Sequence, residues 1–199
     1  MDSIALAFSS GWASGINAYL VVLVLGLAER AGSTQTIPDV LGRTDVLAAA
    51  ALLFAVEFLA DKIPIVDSTW DVVSTAIRPT IGAVLGVLLA GDADSLEQAL
   101  TGVVGGTSAL ASHAVKAGAR LAINASPEPF SNIAASLVED TTVLAVVWYA
   151  VEHPRAAAIV AGVLLAVGLA ALVLVARVVR RGLRRWRDRR SRPAATGAP

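Results

Sequence analysis

The chain has no cysteine, and only 16% of its 199 residues are charged. The first absence excludes disulfides, zinc–thiolate centres and thiol nucleophiles. The second excludes an ordinary soluble domain, which at this length needs far more polar surface. Also missing are a phosphate-cradling glycine loop, a nucleophile elbow and an HExxH pair. His113 and His153 have no spacing suited to zinc. An enzyme is therefore not expected, no cofactor is implied, and a metal requirement is left open.

What is present is apolar. Hydrophobic residues make up 56% of the chain and the mean hydropathy is +0.69. Apolar segments recur along nearly the whole length, which describes a polytopic membrane protein with one membrane domain, residues 1–180. The zero net charge hides an asymmetry: residues 177–199 hold nine Arg and one Asp, whereas residues 1–176 hold seven Lys/Arg against fifteen Asp/Glu. The apolar start, "MDSIALAFSSGWASG", has no basic residue before it and continues past residue 25, so it reads as a first membrane helix rather than a cleaved leader.

Six helices are expected, all-α throughout. They run from about Ser3 to Ala28, Asp45 (capped by Thr44) to Lys62, and Ser68 to Gly91. The others run from Ser95, in a capping box, to Ile123, from Asn132 to Glu152, and from Arg155 to Arg180. Arg78-Pro79 predicts a broken third helix. Residues 181–199 form a basic tail suited to anionic headgroups. It has nothing with which to read bases, so nucleic acid is not expected as a partner. With the Arg tail cytoplasmic and six spans, both termini fall inside, and residues 31–43 and 91–95 fall outside.

The halves 1–91 and 95–180 look alike. "SGWASGINA" and "TGVVGGTSALAS" are both rich in small residues, and "FAVEFLAD" and "ASLVEDTT" both carry Val-Glu. Three helices per half would make the second an inverted copy of the first, a design common among transporters. Similar small-residue helices without a repeat explain the same pattern.

The stretch "VEFLADKIPIVDSTWD" crowds Glu57, Asp61, Lys62, Asp67 and Asp71 onto the end of an apolar helix. Glu57 and Asp61 share a face. Glu139 and Asp140 sit near the middle of the fifth helix. An ionised carboxylate facing lipid costs about 2.5–3.5 kcal/mol even on lenient scales, so these acids should face a wet cavity or a base. A cavity site would bind cations through oxygen, or take and release protons. The alternative is structural pairing with Lys62, Arg78, Lys116 and Arg120. Ser14, Gly15 and Asn17 on the first helix, with Ser108, Ser112 and His113 on the fourth, suit either close helix packing or a cavity lining, Asn17 being the first candidate ligand. In "NASPEPFSN", Glu128, Ser131 and Asn132 offer a helix cap or an anion contact.

Three stretches in order, "SGWASGINAYLVVLVLGLAER", "EFLADKIPIVDSTWD" and "KAGARLAINASPEPFSNIAASLVED", resemble the bacterial membrane family catalogued as domain of unknown function 4126. The resemblance spans about residues 5–150 and implies an inner-membrane protein, with no established activity or site. LysE-type exporters and cation/proton exchangers with a Glu-x-Gly-Asp-Lys/Arg-Ser/Thr motif are similar in architecture only. Glu57-Phe-Leu-Ala-Asp61-Lys62 has one residue too many for that motif and lacks its Gly. The expectation is a small secondary transporter or channel-like permease, coupled to cations or protons. Glu57, Asp61, Glu139, Asp140, Asn17, Arg78 and Lys116 are its candidate ligands. The alternatives are a carrier of lipid or lipid-linked anions and a non-transporting partner subunit. Self-association is left open.

Overall fold

A computed structural model describes residues 2–33, 36–124 and 129–190. Six helices account for them: α1 (Asp2–Arg30), α2 (Thr44–Ala60), α3 (Pro64–Leu89), α4 (Ser95–Ile123), α5 (Pro129–Glu152) and α6 (Pro154–Arg190). The expected boundaries hold within a few residues, except that α6 continues ten residues further. Glu128 and residues 191–199 lie outside the described residues. Pro64 both ends α2 and starts α3, because proline fits a first helical turn whose N–H has no partner anyway. Asp94, not Ser95, caps α4 by accepting from the Glu97 N–H. Thr44 does not cap α2; its hydroxyl accepts from Arg30 instead.

Polarity is turned inside out. Glu57, Asp61, Arg78, Lys116 and Arg120 are buried, whereas Leu52, Leu59, Val72, Leu121, Ile159 and Val167 lie exposed. A protein in water could not keep this arrangement, and one in lipid requires it. α1, α3, α5 and α6 are each long and apolar enough to cross a bilayer. α4 carries more polar residues, on a single stripe: Thr101, Gly105, Ser108, Ser112, His113, Lys116 and Arg120 are all buried. α6 has almost no buried surface in its apolar segment. Its 37 residues extend about 55 Å, well beyond a hydrocarbon core of about 30 Å.

α1 and α4 lie side by side and parallel, in a constant register. Ser108 donates to Phe8 O, Ser112 to Trp12 O and Lys116 to Ile16 O, each pair 100 residues apart. Glycine makes this approach possible: a Cβ on Gly11 or Gly15 would collide with the backbone at Gly105 or Ala109. α3 runs antiparallel to α4, with Gly86 against Thr101, Gly82 against Gly105, and Asp67 against Asn124. Copies inverted about an axis in the membrane would set α1 and α4 antiparallel, so the expected inverted repeat is not what the packing contains.

The parallel register also fixes where the chain ends lie. Ser3 donates to Glu97 at 2.6 Å and Arg155 meets Asp2 at 2.6 Å, so α1, α4 and α6 all start at one end of the bundle. α6 then carries the Arg-rich segment to the opposite end. Asp2 and the far end of α6 therefore lie at opposite ends of the bundle. α1 ends, and α3 begins, at the same end of the bundle, and the 17-residue α2 lies between them at that end.

The break expected at Pro79 is absent, since α3 runs on through it. The broken helix is α1, at Asn17 (φ −148°, ψ 95°).

Candidate functional site

Asn17 breaks α1 by acting as a helix cap inside it. Its Oδ1 accepts the Leu20 N–H at 3.0 Å, and its extended φ/ψ is that of an N-cap, a position Asn favours strongly. The break leaves carbonyls at the end of the first half-helix unpaired within it. Ile16 O accepts from Lys116 at 3.1 Å and Gly15 O accepts from Arg78 at 3.4 Å. Two cations thus sit at the negative end of a half-helix, where the dipole favours them. Asn17 Nδ2 donates to Asp140 Oδ1 at 2.9 Å, which ties the break to α5.

Around this point α2, α3, α4 and α5 deliver a continuous charged network. Arg78 on α3 holds Glu57 at 2.5 Å and Asp71 at 3.1 Å. Lys116 on α4 holds Asp61 at 2.6 Å and lies 3.6 Å from Glu139. One turn on, Arg120 grips both oxygens of Glu139, at 2.6 and 3.2 Å. Arg120 also donates to Asn132 Oδ1 at 2.6 Å and reaches Asp61 at 3.6 Å and Asp67 at 3.9 Å. A bidentate guanidinium–carboxylate pair such as Arg120–Glu139 is the strong kind. Lys62 stays at the rim, its ammonium over the Phe58 ring and donating to Phe58 O.

Hydrogen-bond logic fixes the state of His113. Arg78 can only donate, so His113 Nδ1, at 2.8 Å, accepts. Thr75 spends its hydroxyl proton on Asp71 O, so its oxygen accepts from His113 Nε2, at 3.0 Å. The ring is neutral, with its proton on Nε2, and it orients Arg78.

Charge does not balance here. The network contains six carboxylates, Glu57, Asp61, Asp67, Asp71, Glu139 and Asp140, against four bases, the buried Arg78, Lys116 and Arg120 and, at the rim, Lys62. Asp140 has no ion-pair partner among the described residues; Asn17 alone bonds it. Glu57 Oε2, Asp61 Oδ1, Asp67 Oδ1 and Asp140 Oδ2 are buried without a hydrogen-bond donor. Like charges this close in a low-dielectric interior cannot all remain ionised without compensation.

Two cavities flank the network. One, of about 140 Å3, is lined by Trp12, Ile16, Ser112, Lys116, Glu139 and Leu165, among others. It adjoins an apolar cavity of about 230 Å3 between α4 and α6, with which it shares Val115 and Ala119. The other, of about 110 Å3, lies between α3 and α4 against Ser68, Asp71 and Arg120. These volumes suit water or small ions rather than a large solute. Among the described residues, no group of three or more His, Asp or Glu could hold a metal ion.

All seven residues expected from sequence, Glu57, Asp61, Glu139, Asp140, Asn17, Arg78 and Lys116, meet in this network. Ser108 and Ser112 instead join α1 to α4, and His153 stacks on Tyr149 at 4.9 Å, far from it. Sequence reasoning did not count Arg120, Asp67, Asp71 or Asn132 among the ligands. The available signal was the spacing His113, Lys116, Arg120, which puts all three on one face of α4.

Six helices, four of them long and apolar enough to cross a bilayer, with a polar centre inside an apolar exterior, define a multi-helix integral membrane protein. The family model described as domain of unknown function (DUF4126) matches residues 4–175, and the chain belongs to that family. No curated protein and no solved structure matches it.

Proposed function

We propose that this protein is a small secondary transporter or channel-like permease of the bacterial inner membrane, coupled to protons or cations through the central carboxylates. The observation that carries the reading is the excess of acids over bases in a largely buried network, which remains even when Lys62 at its rim is counted. Protons or cations must make up that difference, and a group that can hold or release one is what coupling needs. The break in α1 supports it, because unwound backbone at membrane depth is tolerated where it meets a polar cavity, and transporters bind ions there. Asp140 is the titrating acid in this reading, since among the described residues no base forms an ion pair with it.

Orientation follows from charge. Asp2, Asp92, Asp94, Glu97 and Glu152 lie at the end where α1, α4 and α6 start, with Arg155 the one Arg or Lys among them. The Arg-rich end of α6, from Arg177 on, lies at the other. The positive-inside rule makes the Arg end cytoplasmic and the N-terminus external. The tail then meets the anionic lipid headgroups of the cytoplasmic leaflet.

Flux of a pH dye in liposomes tests the reading. Wild-type protein should dissipate an imposed proton or cation gradient, and Asp140→Asn should abolish this while keeping its melting temperature. Equal flux in both would overturn it. A second reading, transport of a lipid or lipid-linked anion, is favoured by one feature: the cavity at Lys116 opens into the apolar cleft between α4 and α6. Movement of labelled lipid without ion flux would select it. A partner subunit with no transport role predicts neither.

A further inference from the structure

Lys116 is held in an unusual way. Its ammonium sits among oxygens from three helices: Asp61 Oδ2 at 2.6 Å, Ile16 O at 3.1 Å and Glu139 Oε2 at 3.6 Å. The carbonyl comes from the broken end of a half-helix, the element with which discontinuous membrane helices coordinate small cations. Asp61 is buried, and its second oxygen, Oδ1, has no donor, so the cage has coordinating capacity that Lys116 leaves unused. The cavity of about 140 Å3 lies directly beside it, lined by Ile16, Lys116 and Glu139, and offers the ammonium a place to go.

We propose that this oxygen cage at the break in α1 is a monovalent-cation site whose present occupant is the protein's own Lys116 ammonium. The tethered ammonium stands in for a free cation and competes with it. Displacement into the adjoining cavity exposes Asp61, Ile16 O and Glu139 to an ion of the same charge. A divalent ion is disfavoured, because it demands six or more oxygens in a tight shell, and two carboxylates with one carbonyl fall short. The inference deepens the transport reading, naming the ion class at that same centre.

The test is binding, not flux. Lys116→Ala and the amide variant Lys116→Gln are purified in detergent with N-methylglucamine as the sole cation, an ion too large for the cage. Sodium, potassium and ammonium are then titrated separately at constant ionic strength. A saturable rise in Tm is expected in Lys116→Ala with at least one of them, because a ligand binding only the folded state stabilises it. Wild type should show no rise, since its site is filled, and Lys116→Ala/Asp61→Asn should lose it. Lys116→Cys, in a chain otherwise free of cysteine, offers a reversal. Aminoethylation of the thiol restores an ammonium and should cancel the rise, whereas a neutral methylating reagent should not.

Absence of a rise with every cation in both Lys116→Ala and Lys116→Gln overturns the site, as does an equal rise in wild type. Should Lys116→Ala fail to fold, Lys116→Gln decides alone. A rise without ion flux in wild-type liposomes keeps the site and removes the transport reading. Flux without a rise removes only the site.

Discussion

Glu57 and Asp140 are both membrane acids, yet their surroundings set them opposite tasks. Glu57 is fully buried and bound by Arg78 at 2.5 Å, so its loss leaves the buried guanidinium with Asp71, at 3.1 Å, as its remaining acid. Glu57→Gln should destabilise the protein by up to about 3–5 kcal/mol, the usual result of removing one partner of a buried pair. Arg78→Met added to it should recover part of that loss, because the under-compensated charge goes too. Asp140→Asn strands nothing: no base pairs with Asp140, and an amide there still accepts from Asn17. Its stability should stay within about 0.5 kcal/mol of wild type, the ordinary range for a change that breaks no buried pair. Thermal unfolding of the three variants in one detergent checks all of this. A Glu57→Gln protein as stable as wild type would remove Arg78 from the structural account. Held by Arg78, Glu57 is a poor choice for a titrating site, and Asp140 a good one.

At the scale of helices, the molecule depends on α1 approaching α4 and on α1 breaking. The approach is made by Gly11, Gly15 and Gly105, where an added Cβ would strike backbone. Gly15→Val should therefore drive α1 from α4 and separate Lys116 from Ile16 O. A loss of folded, monodisperse protein on size-exclusion chromatography is expected. Gly182→Ala, where nothing lies within 4 Å, should elute unchanged. The break is carried by one side chain. Asn17→Ala removes a cap, which costs about 0.5–2 kcal/mol, and deprives Asp140 of its hydrogen bond. Its expected signature is a lower Tm together with altered ion flux. A change in neither would mean that the backbone alone sets the break.

For the whole molecule, α2 decides the topology. Counting apolar stretches makes it a span and brings both termini to one side; from the parallel packing of α1 and α4 we infer instead a re-entrant helix that separates them. Cysteine labelling with an impermeant reagent distinguishes the two cleanly, since no native thiol competes. Cysteines replacing Asp2 and Asp92 should react from outside in intact cells, and one replacing Gly182 only after the membrane is opened. Labelling of the Asp2 and Gly182 positions from the same side would overturn the five-crossing arrangement.

Much of this was determined by the sequence itself. Helix number and most boundaries follow from apolar length and from local signals such as Pro64, Asp94 and Pro154, which act within one turn. The candidate ligands were legible because a charge inside an apolar run is costly wherever the helix goes. Partnership was not, since Arg78 reaches Glu57 across 21 residues and Lys116 reaches Asp61 across 55. Pro79 suggested a break that neighbouring packing absorbs, and Asn17, an ordinary helix residue by composition, made one because Asp140, Lys116 and Arg78 wait at its exposed groups. The direction of α4 relative to α1, and with it the fate of α2, depends on which glycine faces meet. Only the assembled bundle decides that, because the small residues four apart, Gly11 and Gly15 on α1 and Gly105 and Ala109 on α4, mark faces that can pack closely but not which face meets which or in which direction.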